Sequence, residues 1–489
     1  MTIRQLGVPW AAPGDRQYSL PTSLMVTLAL GEAPDDVPAV SDVVRAFQPA
    51  ARRIDGGAID RIVGERAGAF RAARLFSAAG GPRRPGCGHL GYDAVEQATG
   101  VARTLILRVP SGTPVGVLCE TLAQLPTVQS ASPNYVSATP FDTSPPVGTS
   151  PAAGTPDGDD GWAARRMVRL AEAHALEPGD DGVMVGLVDS GISRGHREFP
   201  RAFRAGFDTV RMESADVAAG VDLLGDHRRG DGDPEDHFVG HGMGCAGIIA
   251  AEGRGMPRGL GGACRIIPMR ALAAARLPGR TGAIGLGALS DLDLAVKLAV
   301  DLGAKVITMS FGTDDDAIAP NSPKPHTDVV RYALERGCVL VAASGNNGRE
   351  TRYWPAAHPG VIAVGAVTNS GVPAAFSTRG EHVALCAPGE QVLTTAIDDG
   401  YQYATGTSFA APFAAGAAAL LVARSHRRAR PIDAETVRRI LRRTAQPFSA
   451  GGWTGCGTGV LDAAAALAGL DDELRDALGD QAEPDAPDG

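Results

Sequence analysis

The N-terminal part of the sequence lacks a long apolar run and a recognisable leader segment. Its first apolar run, residues 24–30, is too short to cross a bilayer. Residues 1–20 show neither a basic start leading into an apolar stretch nor a small-residue cleavage site. We therefore expect no membrane partner, no secretory signal and a cytoplasmic location, with export by another route left open.

Closely spaced cysteine pairs are also missing. Seven cysteines are scattered singly along the 489 residues, without a C-x-x-C pair: Cys87, Cys119, Cys245, Cys264, Cys338, Cys386 and Cys456. This distribution differs from the dense, even-numbered pattern of a small disulfide-stapled domain. A reducing compartment is the simpler interpretation.

The chain has no excess of basic charge. Its 46 basic and 55 acidic residues give a formal net charge of −9, which argues against a nucleic-acid partner. Eight acidic residues and one arginine lie between Leu470 and Gly489, so much of the negative charge belongs to the C-terminal end. With 44% hydrophobic residues, the chain can build a sizeable core.

Composition divides the chain into five segments. Residues 139–160 are rich in Pro, Gly, Ser, Thr and Asp, which predicts a solvated linker. The linker separates a small N-terminal domain, residues 23–138, from a large domain, residues 161–469. Residues 1–22 precede the first domain, and residues 470–489 are predicted to form a disordered acidic tail.

The N-terminal domain interleaves predicted strands with helices. Strands are predicted over residues 23–30, 103–110 and 127–139, and helices over residues 39–48, 57–70 and 114–126. This order suggests a small α+β sandwich.

The large domain alternates apolar strands with helices. Strands are predicted over residues 183–189, 264–272, 304–312, 338–345 and 361–367, and helices after His241 and over residues 289–303 and 326–336. Strands that are apolar throughout are buried on both faces, which predicts an α/β fold with a mainly parallel sheet flanked by helices. Such sheets bind ligands beyond the carboxyl ends of their strands.

Three polar residues occupy places of this kind. Asp189 ends the apolar strand VGLVD, His241 begins a small-residue helix in GHGMGCAG, and Ser408 begins another in GTSFAAP. Serine is a weak nucleophile until an imidazole removes its proton, and a buried carboxylate must hold that imidazole in the right tautomer. Each residue alone has an ordinary structural explanation, but the ordered set predicts nucleophilic catalysis.

Six motifs follow one another along about residues 161–469. They are VDSGI, GHGMGCAG, VITMSFG, VAASGNNG, YWPAAHPGVIAVGAV and GTSFAAP. In this order they resemble the subtilisin-like serine proteases, the subtilase family. The resemblance implies a subtilisin-like fold and hydrolysis of peptide bonds, with Asp189, His241 and Ser408 as the catalytic triad.

The same resemblance implies an oxyanion donor. Asn346 in ASGNNG matches an asparagine that donates to the oxygen on which negative charge develops, together with the Ser408 backbone N–H. Its neighbour Asn347 is interpreted as a turn residue.

Two short segments match the walls of the pocket for the P1 side chain, which precedes the cleaved bond. These residues are Ser310, Phe311 and Gly312 on one wall and Ala343, Ser344 and Gly345 on the other. The resemblance implies that substrate backbone pairs with the first wall as an added strand. Tyr353 or Trp354 would restrict the pocket to small side chains by projecting into it, and Pro355 matches a position with a cis peptide bond.

Residues 23–138 resemble the inhibitory propeptide of that family, most clearly from Arg103 onward. A domain of this type assists folding and covers the active-site cleft. The expected partners are therefore peptide or protein substrates and the chain's own N-terminal domain as an intramolecular inhibitor. The region up to about residue 102 matches poorly, so an unrelated accessory domain is the alternative.

Three further features each have two interpretations. The acidic segment 231–237 could bind Ca²⁺ or could be a solvated loop. Cys245, one turn after His241, could be a sensitive thiol or a small buried apolar residue. The arginine-rich stretch 424–443 could bind an anionic partner, or it could be a solvated face that pairs with the acidic tail.

Together these features favour a serine endopeptidase made as a zymogen. The resemblance implies no cofactor for the chemistry, while structural Ca²⁺ is a possibility because family members often carry it. Two alternatives stay open: an inactive peptide-binding pseudoprotease, and a dedicated intracellular processing protease for one leader peptide or partner.

Overall fold

The computed structural model describes residues 19–32, 34, 36–45, 47–80, 91–139, 160–279, 282–318 and 321–479. Nearly all of the predicted linker, the first residues of the chain and residues 480–489 lie outside these ranges.

The N-terminal region, residues 19–139, alternates strands and helices. These are β1 Ser19–Leu28, α1 Val40–Arg45, α2 Ala58–Ala67, β2 Arg71–Arg74, α3 Ala94–Thr99, β3 Thr104–Arg108, α4 Val115–Leu122 and β4 Val128–Ala138. The predicted strands and helices are confirmed, although β1 begins ahead of the predicted boundary at residue 23. Strand β2 was not predicted, because RAAR is short and has a charged residue at each end.

The rest of the described chain begins with two short helices and then alternates strands with helices. Its elements are α5 Ala163–Met167, α6 Leu170–Leu176, β5 Met184–Asp189, β6 Phe207–Asp208, β7 Asp222–Leu224, α7 His241–Ala250, β8 Arg265–Arg270, β9 Ala273–Arg276, β10 Ala283–Ala288, α8 Leu289–Asp301, β11 Val306–Met309, β12 Thr313–Asp314, α9 Thr327–Glu335, β13 Val339–Ala343, β14 Tyr353–Trp354, β15 Ile362–Val367, β16 Val383–Pro388, β17 Val392–Thr395, β18 Tyr401–Ala404, α10 Thr407–Arg427, α11 Ala434–Arg443 and α12 Ala463–Gly479.

A seven-stranded sheet in the order β16-β15-β13-β11-β5-β8-β6 forms the centre of the large domain. All its neighbouring strands run parallel, which confirms the predicted mainly parallel sheet. Alternate residues of the central strands enter opposite cores. Val339 and Val341 face the core that contains α7 and α10, whereas Leu340 and Ala342 face the core that contains α8 and α9. Burial on both faces explains the apolar strands.

Helix α10 forms much of the first core. By length and composition α10 could cross a membrane, but 94% of its most apolar 18-residue stretch is buried inside the protein. Its small residues allow it to pack closely against α7, β13 and β15.

A second seven-stranded sheet joins the N-terminal region to the large domain. Its order is β2-β3-β1-β4-β10-β9-β7, and the junction is the antiparallel pair of β4 and β10. Met25, Phe76 and Tyr135 of the N-terminal region lie in the same apolar core as α8 and α9. The N-terminal region therefore shares both a sheet and a core with the large domain.

The predicted disordered tail from Leu470 is wrong for residues 470–479, which continue α12. Leu470 is fully buried, and the preceding run of small apolar residues also packs inward. Acidic residues of α12 pair with the arginine-rich stretch: Arg424 and Arg428 contact Asp471, while Arg439 and Arg443 contact Glu473. The interpretation of that stretch as a partner of the acidic end is confirmed.

A buried charge cluster lies where the N-terminal region meets α8. The Lys297 ammonium is 2.9 Å from the Glu96 carboxylate of α3 and 2.6 Å from the Asp301 carboxylate. Lys297 is 1% exposed and Glu96 is fully buried. A buried carboxylate without a counter-charge is costly, so this lysine links the two parts of the chain.

We expect Lys297→Met to lower the free energy of unfolding by about 3–5 kcal/mol, because it leaves two carboxylates without their cation. Urea unfolding followed by circular dichroism measures this change. Lys324→Met is the matched control: that lysine pairs with Asp315 at the surface, where such pairs contribute at most about 1 kcal/mol. Equal losses in the two variants would contradict the structural role of Lys297.

Candidate active site

Asp189 and His241 are brought together by a close approach of α7 to the end of β5. A side-chain carbon at Gly242 would lie 2.1 Å from the Gly191 carbonyl oxygen, so α7 can sit here only with glycine at that position. Gly191 itself has a φ of +109°, a conformation that favours glycine. These two glycines explain why VDSG and HGMG place their polar residues side by side.

The carboxylate and the imidazole form a buried hydrogen bond. His241 Nδ1 is 2.7 Å from Asp189 Oδ1, and the same oxygen accepts the Ser190 backbone N–H at 2.7 Å. Asp189 is fully buried and His241 is 2% exposed. A carboxylate at Nδ1 leaves Nε2 as the basic nitrogen of the neutral imidazole.

Ser408 lies near the start of α10, beside the predicted first pocket wall. Its hydroxyl donates to the Ser310 carbonyl oxygen at 3.2 Å, and its own carbonyl accepts the Ser310 hydroxyl at 2.8 Å. The next residue, Phe409, lies 5.2 Å from the His241 ring between centroids. The structure thus brings all three sequence-predicted residues to one side of the parallel sheet.

Cys245 lies between the three residues. Its sulfur contacts the Ser408 carbonyl at 3.4 Å, and the possible ligand atoms of Cys245, Asp189 and His241 lie within 4.8 Å of one another. Burial, and then the Asp189 charge, raise the pKa of the Cys245 thiol well above its usual value. A protonated, fully buried thiol is poorly reactive, which favours the interpretation of Cys245 as a packing residue.

The Asn346 side chain is oriented by Thr407. Asn346 Oδ1 accepts the Thr407 backbone N–H at 2.9 Å and its hydroxyl at 2.7 Å. With the carbonyl end used in this way, the amide nitrogen is the end available to donate elsewhere. Asn347 instead bonds to Asp314 and Thr378, which suits a structural residue. This role of Thr407 was not predicted, although the residue belongs to the GTS motif.

The two predicted pocket walls flank a narrow space, but their side chains mostly point elsewhere. Phe311 is buried against the His326 ring, and the Ser344 hydroxyl donates to the Thr378 carbonyl at 3.0 Å. Ala343 lies within β13 and is fully buried. Gly312 and Gly345 therefore leave mainly backbone facing the space. The Trp354-Pro355 peptide bond is cis, as predicted.

The end of β4 lies beside the first wall. Ala138 forms an antiparallel bridge with Gly312, and the Ser137 hydroxyl lies 3.1 Å from that of Thr313. On the other edge, the Thr139 N–H donates to the Gly285 carbonyl at 3.0 Å, in line with β10. Residues 137–139 thus have a backbone neighbour on each side, β10 on one and Gly312 on the other. Strand β10 was not predicted, although its alternating GLG pattern was an available signal.

Two acidic residues of the segment 231–237 already have hydrogen-bond partners within the protein. Asp236 is buried, and both of its oxygens already accept hydrogen bonds, from the Ser190 hydroxyl and from the backbone N–H groups of Phe238, Val239 and Gly240. Glu235 accepts the Arg194 N–H. In the described ranges, the only convergent group of three metal-ligand side chains is Asp189, His241 and Cys245. Structural Ca²⁺, in this segment or elsewhere, stays a prediction.

Asp236 also has a role that was not predicted from the sequence. It holds the loop that leads into His241 and, through Ser190, the residue that follows Asp189. It therefore positions both partners of the buried hydrogen bond. An acidic residue within a run of acids gives no sequence signal for such a role.

Several known proteins are similar to this chain. A family model described as "Subtilase family" matches residues 180–479, more than half of the chain. The thermophilic serine proteinase of Bacillus sp. (strain AK1) is 35% identical over 245 residues, covering 50% of this chain and 53% of that proteinase. Thermitase from Thermoactinomyces vulgaris is 29% identical over 271 residues, covering 55% of this chain and 84% of thermitase.

A solved protease structure from Pseudoalteromonas arctica PAMC 21717 is 26% identical with a TM-score of 0.54, covering 64% of this chain and 98% of that chain. The chain spans about half the length of the first of the sequence relatives. The N-terminal region lies outside the residues that the family model matches.

We expect Asp236→Ala to destabilise the protein, because several buried donors lose their acceptor and each orphan costs about 1–3 kcal/mol. Urea unfolding measures this loss, and Ca²⁺ or excess EDTA should leave it unchanged. Asp233→Ala is the matched control, since Asp233 is an exposed acid of the same segment and its loss should cost less than about 0.5 kcal/mol. Stabilisation of the wild type, but not of Asp236→Ala, by Ca²⁺ would favour the metal site instead.

Proposed function

The chain belongs to the subtilase family, and on that premise we propose that it is a serine endopeptidase with Asp189, His241 and Ser408 as its triad. Ser408 attacks the scissile carbonyl, and His241 takes the hydroxyl proton and returns it to the leaving amine. Asp189 holds the imidazole in its tautomer and stabilises the imidazolium. The buried 2.7 Å hydrogen bond between Asp189 and His241 carries this proposal.

Asn346 and the Ser408 backbone N–H form the oxyanion hole in this proposal. The hydrogen bonds that Asn346 Oδ1 accepts from Thr407 support this role, because they leave the amide nitrogen of Asn346 available to donate. Such a donor is effective when it is fixed before charge develops, since no reorganisation is needed in the transition state.

We expect a fluorophosphonate probe to label the wild type after the linker is cut, and to leave Ser408→Ala unlabelled. Asn346→Ala should lower kcat for casein by about 10²–10³, the loss found when the corresponding donor of subtilisin is removed. Asn347→Ala is the matched control and should lose less than tenfold. If Ser408→Ala is labelled as strongly as the wild type, the assignment of the triad is wrong. If the wild type is not labelled, the alternative of a peptide-binding pseudoprotease is favoured.

We also propose that the N-terminal region is the chain's own inhibitor, so that the protein is made as a zymogen. Residues 137–139 pair with both β10 and Gly312, where the sequence analysis expects substrate backbone. Further contacts dock the region: Arg108 lies 2.7 Å from Asp216, and the Tyr135 hydroxyl donates to Ser322 at 2.7 Å. With this strand in position, Ser408 is fully buried.

We expect Ala138→Pro to raise the initial rate of casein hydrolysis by the full chain, because proline has no N–H to pair with and is excluded from a central strand. Ala138→Ser, which keeps the N–H, is the matched control. Intact mass reports the state of the linker: one full-length species indicates a tethered region, and fragments dividing within residues 139–160 indicate maturation. An unchanged rate in Ala138→Pro, with Ser408 labelled as in the control, would contradict inhibition by this strand.

A reducing, cytoplasmic location is part of the proposal. The six cysteines in the described ranges are all free and buried, which supports it. A dedicated processing role on one leader peptide or partner protein would fit that location.

A further inference from the structure

The space between the two pocket walls contains the ring of Tyr353. A side-chain carbon at Gly312 would lie 2.5 Å from Tyr353 Cε1, and one at Gly345 would lie 3.0 Å from Tyr353 Cγ. These distances are shorter than van der Waals contact, so both glycines face the ring directly. The ring therefore takes up volume that a P1 side chain would need.

Strand pairing fixes the ring in this place. β14 pairs antiparallel with β12, so that Tyr353 lies opposite Asp314 and Trp354 opposite Thr313. Because β12 follows Gly312 directly, this register sets Tyr353 against the wall. Trp354 is directed elsewhere: its indole N–H donates to Asp315 at 2.7 Å, and its ring packs against His358.

The phenol of Tyr353 is not anchored by hydrogen bonds. Its hydroxyl is buried and has no hydrogen-bond partner among the described residues. Burial, and then the Asp314 charge, raise the pKa of this hydroxyl above its usual value, so it stays neutral. The ring is therefore held by shape and strand register, which makes it a filler of the pocket.

From this placement we infer that Tyr353 determines specificity by closing the P1 pocket to all but small side chains: Gly, Ala and Ser. The inference rests on the proposed endopeptidase function and names its substrate class, peptides with a small residue before the cleaved bond. Large side chains such as Phe or Leu have to displace the ring from between Gly312 and Gly345. A site of fixed shape rejects a larger side chain strongly, because overpacking cannot relax.

Two peptidyl diphenylphosphonates that differ only at P1, with the methyl group of Ala or the benzyl group of Phe, test this inference. The Ser408 oxygen displaces phenoxide from phosphorus, and intact mass counts the two adducts on the full chain. Supplied together in equal excess, the probes compete for the same free enzyme. Their ratio therefore does not depend on how much enzyme the N-terminal region covers.

We expect the wild type to form at least about 100 times more Ala than Phe adduct, and Tyr353→Ala to lower this ratio by at least about 100-fold, on the scale of pocket discrimination. Tyr353→Phe keeps the ring and should retain the wild-type ratio. A wild-type ratio near one overturns the inference, even when Tyr353→Ala does not fold. Absence of both adducts from the wild type after its linker has been cut would instead refute Ser408 as the nucleophile, and the inference with it.

Discussion

The buried hydrogen bond between Asp189 and His241 is the contact on which the geometry of the proposed active site depends. The Asp189 carboxylate is excluded from water and lies 2.7 Å from the His241 imidazole. The residues around it must be rigid and hydrogen-bonded to it, because an unpaired buried charge costs several kcal/mol. The parallel sheet supplies one end through β5, and α7 supplies the other. Gly191 and Gly242 permit their contact, and Asp236 ties both loops together.

A second constraint is the narrow path between β10 and Gly312. An extended chain entering this path gains hydrogen bonds on both edges, whatever its side chains are. In this structure the path holds residues 137–139 of the same molecule. On the proposed function, inhibition by the N-terminal region and substrate recognition would use the same backbone contacts. Tyr353 would add a limit on side-chain size that backbone pairing alone does not provide.

Local patterns in the sequence were sufficient for several features. The apolar runs predicted the central strands because those strands are buried on both faces, and the motifs around Asp189, His241 and Ser408 marked residues that the fold brings together. Contacts between distant segments left no such pattern. Asp236 looked like a member of an acidic loop, and Leu470 looked like the start of a charged tail. Only the fold shows that Asp236 accepts hydrogen bonds from Ser190 and that α12 pairs with the arginine-rich stretch.

The rate constant for fluorophosphonate labelling of Ser408 in Asp189→Asn, compared with the wild type, tests the role of the buried hydrogen bond most directly. Asparagine keeps the size of the side chain but favours the wrong imidazole tautomer, and the same change in a Ser-His-Asp protease lowers kcat about 10⁴-fold. We predict that the labelling rate constant falls by a factor on that order, while the free energy of unfolding is unchanged. A loss smaller than tenfold would contradict the assignment of Asp189 and His241 to the triad.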